Sequence, residues 1–352
     1  MFLRGLCLGV FLCACGFLQA QTEWLLIYVM PYDNDLAIYH EQIQDELTQN
    51  RGETEIAIIK ALPQELSLTC AHWNAVDSSS WKEPGTSITE EALQSFFLSL
   101  ITKSEARKSA IFFLDHAGNE NELGLDLNPK ETWLSVSSAA KAVAAYSMSN
   151  APSLELIYLQ VCSKAHLDAL AEFNTSAPFI MASVFPLGAP NAYYAGMLAD
   201  LNQGIVQSGE ELARSIVMNE DLHMFLSLSL FQTNGLAQLT SEFHRLAKEG
   251  DYQPSDFRSK RICHQAKKEE KELKLVHYGK HKYADLSDVF SLLFDEASAN
   301  NLRLKMQSCI LWHIPSPNAP EAIGNYCGLS LALPQKKRSL VNSPLNFWQA
   351  LN

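Results

Sequence analysis

The feature that most constrains the fold is a set of five continuous apolar runs. They lie at residues 24–30, 55–59, 110–114, 154–159 and 179–183. A strand with one face in water alternates apolar and polar residues, whereas a strand of a parallel sheet covered on both faces is apolar throughout. Each run has the length of a strand rather than of a helix, so we predict five buried strands.

Helical segments separate these runs, as the crossovers of a parallel sheet require. In residues 90–101, Thr89 is placed to cap the helix, and apolar residues recur at helical spacing from Leu93 to Leu100. Residues 137–147, which are rich in alanine, form another such segment. This alternation, which continues to about residue 200, predicts an α/β sandwich.

The residues after about 205 are predicted to form a carboxyl-terminal region that completes the fold. Helix-like segments at 210–218 and 236–248 precede a polar and basic stretch at 252–282, which we interpret as a long excursion over the surface. Two late apolar runs, at 309–314 and 327–333, end at Pro315 and Pro334 and are predicted to be strands.

The charge balance argues against nucleic acid as a partner. The chain of 352 residues has a formal net charge of -12 and a pI near 5.3. Nucleic-acid binding depends on clustered Lys and Arg that displace counterions. The basic run at 267–271 is interleaved with glutamates, which is typical of a solvated helix face.

The first 20 residues have the pattern of a secretory leader. Their apolar stretch is shorter than the roughly 20 residues of a membrane span, and Ala20 suits signal peptidase. A second cleavage remains open, since residues 12–15 resemble a bacterial lipobox in which Cys15 would carry a lipid. We therefore predict export to the periplasm, the cell envelope or the medium, with membrane contact only through that lipid. The predicted domain bounds are 1–20 for the leader, 21–205 for the core and 206–352 for the carboxyl-terminal region.

Cysteine usage fits an exported chain with a reactive thiol. Three of the eight cysteines lie in the leader, and the other five are Cys70, Cys162, Cys263, Cys309 and Cys327. Because five is odd, at least one thiol lacks a partner within the chain. Two disulfides among the other four remain open.

One histidine and one cysteine directly follow predicted strands. His116 lies in a turn after the run at 110–114, and Cys162 lies just past the run at 154–159. Ligands of open α/β sheets bind at the carboxyl ends of the strands, so the two side chains meet if these strands are neighbours. A thiol is a weak nucleophile until it is deprotonated, and an adjacent imidazole supplies the base.

Around these residues the chain resembles the clostripain family of cysteine peptidases, whose clan also holds the caspases, gingipains and legumains. The similarity covers nearly the whole mature chain, although each motif is short. The matching segments are the first strand and turn at 24–36, the motif Asp115-His116-Ala117-Gly118 with residues 124–126, Cys162 with the helix after it, residues 182–194, and short segments at 283–288, 328–334 and Trp348.

The resemblance implies a caspase-like three-layer sandwich and a Cys/His dyad. Cys162 would attack the scissile carbonyl, His116 would transfer the protons, and water would release the acyl-enzyme. The family's oxyanion donors correspond to the backbone N–H groups of Cys162 and Ala117, and its substrate-binding positions correspond to Gln160 and Ser183. The implied activity is that of an endopeptidase acting on proteins or peptides, with no required organic cofactor.

Three positions depart from the family pattern. Ala117 stands where the family has glycine, and would be strained by about 1 kcal/mol or more if the turn required a positive φ that Gly118 did not absorb. Gln160 stands where the family has an acidic residue that binds a basic P1 side chain, the side chain preceding the scissile bond. An amide does not pair with arginine as a carboxylate does, so we predict a weakened preference for Arg and Lys. Lys164 stands where a methionine is common in the family and does not help to bind a basic substrate. The changes at Gln160 and Lys164 leave open an inactive envelope protein that binds peptides or proteins.

No metal site is predicted. Asp33, Asn34 and Asp35 have the residue types of a calcium site, and some relatives of the family use calcium. The segment lacks the glycine and the distal glutamate of a calcium loop, so a turn cap is the simpler interpretation.

Overall fold

The computed structural model describes residues 22–74, 77–128, 130–149, 151–333 and 345–350. The predicted leader at 1–20, its lipobox cysteine Cys15 and the predicted strand stop Pro334 lie outside these ranges.

The strands are β1 Trp24–Pro31, β2 Glu55–Ala61, β3 Ser67–Trp73, β4 Ser78–Pro84, β5 Lys108–Leu114, β6 Glu122–Asp126, β7 Thr132–Ser135, β8 Ser153–Gln160, β9 Phe179–Ala182, β10 Ser227–Gln232, β11 Leu275–Tyr278, β12 His281–Asp285, β13 Ile310–Pro315 and β14 Ser330–Ala332. The α-helices are α1 His40–Asn50, α2 Glu90–Lys103, α3 Val136–Ser147, α4 Leu167–Leu170, α5 Tyr194–Asn202, α6 Gly209–Asn219, α7 Thr233–Glu249, α8 Ser259–Lys268, α9 Leu286–Leu293, α10 Glu296–Cys309 and α11 Asn346–Gln349. Short 3-10 helices span Asp35–Tyr39, Ala171–Phe173, Pro254–Phe257 and Glu321–Asn325.

A nine-stranded sheet forms the centre of the molecule, in the order β13-β10-β9-β8-β5-β1-β2-β3-β4. The five central strands, β9 to β2 in this order, are parallel. The outer strands pair antiparallel with their neighbours. They are β3 and β4 on one edge and β10 and β13 on the other. The predicted α/β sandwich with a mainly parallel central sheet is confirmed, and all five predicted strands are present.

Two apolar cores cover the two faces of this sheet, which explains the continuous apolar runs. Along β1, Leu25, Ile27 and Val29 belong to the core beneath α2, α3 and α7. Their neighbours Leu26 and Tyr28 belong to the core beneath α1, α5 and α6. Because both faces of β1 are buried, successive side chains are apolar, each stabilising the fold by about 1.5–3 kcal/mol relative to exposure.

Helix α2 begins as its sequence predicts. The Thr89 hydroxyl accepts a hydrogen bond from the Ala92 N–H at 3.2 Å, which satisfies one of the otherwise unpaired donors of the first turn. Leu93, Phe96 and Leu100 are fully buried on its inner face. The cap and the apolar face together account for the position of this helix.

The carboxyl-terminal region packs onto the core beneath α7. Its segment at 252–282, polar in composition, contains the 3-10 helix Pro254–Phe257, helix α8, strand β11 and the start of β12. Phe257 and Ile262 are fully buried. These apolar side chains therefore hold the segment against the core. Strands β11, β12 and β14 form a separate three-stranded sheet.

The five cysteines of the described ranges are all unpaired thiols. Within those ranges, no helix has both the length and the apolar character needed to cross a membrane.

Candidate active site

Strands β5 and β8 bring His116 and Cys162 to one place. The two strands are parallel neighbours, and their last residues, Leu114 and Gln160, are partners in register. His116 and Cys162 each follow their strand by two residues, and both line a cavity of about 330 Å³. The expectation that these two side chains share one edge of the sheet agrees with this geometry.

A carboxylate holds the imidazole of His116. His116 Nε2 lies 2.7 Å from Oδ1 of Asp35, the first residue of the 3-10 helix that follows β1. This hydrogen bond holds the pKa of Asp35 below its usual value. An ionised carboxylate only accepts, so Nε2 carries a proton and Nδ1 is the basic nitrogen of the neutral ring.

Sequence reasoning considered Asp35 only for calcium or a turn. The available signal was its position in the turn four residues after the end of β1, at the same sheet edge, since β1 is the other neighbour of β5.

The neighbouring Asp115 is buried under the loop that carries His116, residues 115–121, here called the histidine loop. Its carboxylate accepts hydrogen bonds from Asn34 Nδ2 at 2.9 Å, from the Leu125 N–H at 3.2 Å and from the N–H of His116. Burial raises the pKa of Asp115, and these three donors oppose that rise. Asp115 thus joins the ends of β1 and β5 to β6 and fixes the start of the histidine loop.

The backbone of the histidine loop does not strain Ala117. Ala117 is buried, and its φ does not lie in the left-handed region. Ser163, next to Cys162, does adopt that region, with φ 54°. Gly118 is required for space rather than for its φ, since an added Cβ would lie 2.9 Å from Cβ of Glu122. Among the described residues, neither the Ala117 nor the Cys162 N–H donates to a protein acceptor, so both remain available to an oxyanion.

A buried lysine connects the turn after β8, which contains Cys162, to the histidine loop. Lys164 is fully buried, and its Nζ donates to the backbone carbonyl of Asn119. Burial lowers the pKa of Lys164 to about 8, opposed first by the charge of Glu120. Burial likewise raises the pKa of Glu120 to about 7. The sequence identifies Lys164 only as a departure from the family pattern, because its contact with the loop depends on the fold.

Gln160 lies inside the cavity and is held by a chain of buried polar groups. Its Oε1 accepts from the Tyr193 hydroxyl at 2.7 Å, and its Nε2 donates to Oδ1 of Asn191. Asn191 Nδ2 donates in turn to Glu220 at 2.6 Å. The cavity therefore has an amide where the family pattern has a carboxylate.

Ser183, expected at a substrate-binding position, lies outside the residues that line this cavity. It is fully buried, and its hydroxyl accepts from the Phe185 N–H at 3.0 Å. The Ser183 carbonyl accepts from Ala165 at 2.8 Å. Its contacts therefore shape the loop after β9 rather than the cavity.

The β11–β12 hairpin brings Tyr278 to Cys162. Tyr278 is partly buried against the core. Burial raises the pKa of its hydroxyl, and the charge of Cys162 and a hydrogen bond with that thiol add to the rise. Residues far apart in sequence make this contact, and no local motif indicates it.

The acidic segment after β1, residues 33–35, forms hydrogen bonds within the protein. Asn34 caps the 3-10 helix, with its Oδ1 accepting from the Leu36 N–H at 2.8 Å, and Asp33 accepts from Asn128 Nδ2 at 2.6 Å. Within the described ranges, no group of three or more His, Cys, Asp or Glu residues is arranged to hold a metal ion.

Comparisons with known proteins give structural relatives only. No family model and no curated protein matches the sequence. A secreted C11 cysteine protease from Bacteroides thetaiotaomicron, solved with an irreversible peptide inhibitor, is 10% identical with a TM-score of 0.67, and the match covers 94% of this chain and 99% of that chain. An inactive zymogen C11 protease from Parabacteroides distasonis is 16% identical with a TM-score of 0.68, covering 93% of this chain and 97% of that chain.

A further structure of a secreted Bacteroides thetaiotaomicron C11 cysteine protease, called iotapain, is 11% identical with a TM-score of 0.68 and covers 94% of this chain and 99% of its own. At such identities the likeness concerns the fold, and it extends over nearly the full length of both chains. The chain has the fold of the C11, clostripain-like cysteine proteases.

Proposed function

We propose that this chain is an exported cysteine endopeptidase that cleaves peptide bonds through Cys162 and His116. The observation that carries the proposal is the presence of both side chains on one cavity, at the carboxyl ends of neighbouring parallel strands. The shared fold supports it, because the solved relatives are cysteine proteases and one of them binds an irreversible peptide inhibitor. Export is supported by the leader pattern at residues 1–20 and by the secreted relatives.

The proposed reaction is acyl transfer to a thiol. His116 takes the proton of Cys162, and the thiolate attacks the carbonyl carbon of the scissile bond. The backbone N–H groups of Cys162 and Ala117 stabilise the oxyanion of the tetrahedral intermediate. As this intermediate collapses, the C–N bond breaks and His116 gives its proton to the leaving amine.

Water then completes the cycle. His116 accepts a proton from the water that attacks the thioester, and the thiol is restored when the C–S bond breaks. This chemistry uses a thiol and an imidazole and invokes no organic cofactor. Gln160 weakens binding of a basic P1 side chain, because an amide supplies no countercharge for a buried cation.

A peptidyl acyloxymethyl ketone tests the proposal, because it alkylates a thiol that attacks its carbonyl group. We expect mass spectrometry of the reduced protein to find one adduct, on Cys162, and none in Cys162→Ala. Labelling should slow by roughly 100-fold or more in His116→Ala, which lacks the base. The matched control is Cys263→Ala, which removes another partly exposed thiol and should be labelled like the parent.

Absence of an adduct on Cys162 would contradict the peptidase. If the same peptides bound without reacting, the chain would be a peptide-binding protein with this fold.

A further inference from the structure

The cavity beside Cys162 constrains the side chain that precedes a cleaved bond. When the thiol attacks a carbonyl carbon, the side chain on the adjacent Cα lies within a few ångströms of the sulfur. The cavity of about 330 Å³ borders Cys162 and is also lined by Gln160, Asn191 and Gly188. It is large enough for a full side chain, so its chemistry selects that residue.

One chain of hydrogen bonds orients both amides of this cavity. Glu220 Oε2 accepts from Asn191 Nδ2 at 2.6 Å, which turns Asn191 Oδ1 toward Gln160. Gln160 then donates through Nε2 to Asn191 and accepts through Oε1 from Tyr193 at 2.7 Å. An ionised carboxylate can only accept a hydrogen bond, whereas one end of an amide donates and the other accepts. Glu220 therefore sets the direction of each hydrogen bond in this chain of side chains.

The carboxyl groups near the cavity are already occupied. Besides Asn191, Glu220 accepts from the N–H groups of Ala192 and Asp221, each at 2.9 Å, and burial raises its pKa. Asp115 accepts from three internal donors. Asp35 is paired with His116 and is 80% exposed, so water screens it. A lysine or arginine side chain would therefore lose its hydration and gain no unpaired buried carboxylate among the residues that line this cavity, so its charge would stay uncompensated.

The two amides themselves retain hydrogen-bonding capacity. A primary amide has two N–H donors and an oxygen with two lone pairs. On Asn191 the hydrogen-bond chain uses one donor and one acceptor and leaves one of each. On Gln160, whose side chain also forms a hydrogen bond with the Tyr194 hydroxyl, it leaves a lone pair on Oε1. An apolar side chain would leave these groups unsatisfied, whereas another primary amide matches both kinds.

We propose that this cavity binds the uncharged primary-amide side chain of a glutamine or asparagine at P1, an inference that rests on the proposed peptidase function. Gln160 and Asn191 are then the specificity-determining residues. Glu220, which touches no substrate, is a positioning residue that acts through Asn191.

The test uses the full mature chain and fluorogenic tripeptides that differ only at P1, with Gln, Asn, Leu, Arg, Lys or Glu. We expect kcat/KM for Gln or Asn to exceed that for Leu, Arg, Lys and Glu by about tenfold or more. A highest value for Arg or Lys would overturn the inference, and so would a highest value for Leu or Glu.

Gln160→Met tests the residue itself, because methionine has a similar length and no hydrogen-bonding amide. The Gln-to-Leu ratio of kcat/KM should fall by about tenfold, chiefly through KM. Asn191→Leu should lower the same ratio and provides a second variant if one of the two fails to fold. Gln265→Met, on the partly exposed face of α8, is the matched control and should keep the parent ratio. An unchanged ratio in folded Gln160→Met and Asn191→Leu would overturn the inference.

Labelling distinguishes this inference from the proposed function. If Cys162 forms an adduct with acyloxymethyl ketones bearing Arg at P1 faster than with those bearing Gln, the peptidase stands and the inference fails. If no probe labels Cys162 and no peptide is cleaved, both fail.

Discussion

At His116 a single carboxylate decides which ring nitrogen is basic. Asp35 accepts from Nε2 at 2.7 Å. In the proposed reaction this leaves Nδ1 to take the thiol proton, and the carboxylate stabilises the imidazolium that forms. The pair is a positioning contact, because Asp35 acts through His116. Its side chain is 80% exposed, so the contribution is smaller than in a buried triad and depends on salt.

Replacing Asp35 with asparagine tests this role. The amide oxygen still accepts from Nε2, but the charge that stabilises imidazolium is lost. We expect kcat/KM to fall by roughly threefold to tenfold at low salt, and the gap between parent and variant to narrow in 1 M salt as screening removes the Coulomb attraction.

The measurement is kcat/KM against ionic strength with one cleaved peptide. Asp45→Asn, an exposed change on α1, is the control and should follow the parent at every salt concentration. A parent-to-Asp35→Asn ratio that does not change with salt would refute an electrostatic role.

At the scale of elements, the histidine loop depends on close packing at Gly118. Glu122 lies against Gly118 and accepts from Asn119 through N–H at 2.8 Å and Nδ2 at 2.6 Å. Asn119 in turn accepts from the buried Lys164. Glu122 is thus held in place, and a methyl group at Gly118 forces the loop rather than the glutamate to move.

Gly118→Ala should lower kcat/KM by roughly tenfold to a hundredfold, because a shift of about 1 Å misplaces His116 and the Ala117 N–H. Steady-state kinetics with the preferred peptide gives the value, and circular dichroism checks that the variant is folded. Gly324→Ala is the matched control, since its Cβ would meet nothing within 4 Å. Equal activity of the two variants would show that the loop tolerates the methyl group.

At the scale of the whole molecule, the described carboxyl-terminal helix is anchored in the buried centre. Trp348 is fully buried, and its Nε1 donates to Asp168 Oδ2 at 3.0 Å. Asp168 also lies 2.8 Å from Nδ1 of the buried His166. These contacts join α11 to α4, only a few residues after Cys162.

Trp348→Phe should reduce the free energy of unfolding by about 1–3 kcal/mol, because one oxygen of the buried Asp168 carboxylate loses its donor. Trp348→Ala should cost about 3–5 kcal/mol, since a cavity is added. Urea unfolding followed by fluorescence and circular dichroism measures both. Trp133→Phe removes an exposed hydrogen bond of an indole, and its free energy of unfolding should stay within about 0.5 kcal/mol of the parent. If Trp348→Phe lost no more stability than this control, Trp348 would not act as an anchor.

Local sequence pattern is enough to predict the parallel core strands and the position of the candidate dyad. Both depend on local signals: continuous apolar runs report burial on both faces, and a polar residue directly after such a run lies at the sheet edge. The antiparallel strands β3, β4 and β10 were not predicted. In β4, for example, exposure alternates along Ser78–Pro84, a segment rich in serine. Such a segment lacks the continuous apolar run from which the core strands were predicted.

The partners of the site residues depend on how distant elements pack together. Asp35 and His116 are 81 residues apart, Gln160 and Asn191 are 31 apart, and Asp168 and Trp348 are 180 apart. Each polar residue has many possible partners along the chain, and burial pairs it with the one that the fold brings within hydrogen-bonding distance. The strand ends were therefore readable from local pattern, whereas the tautomer of His116, the chemistry of the cavity and the anchoring of the carboxyl-terminal helix depend on the packing of distant elements.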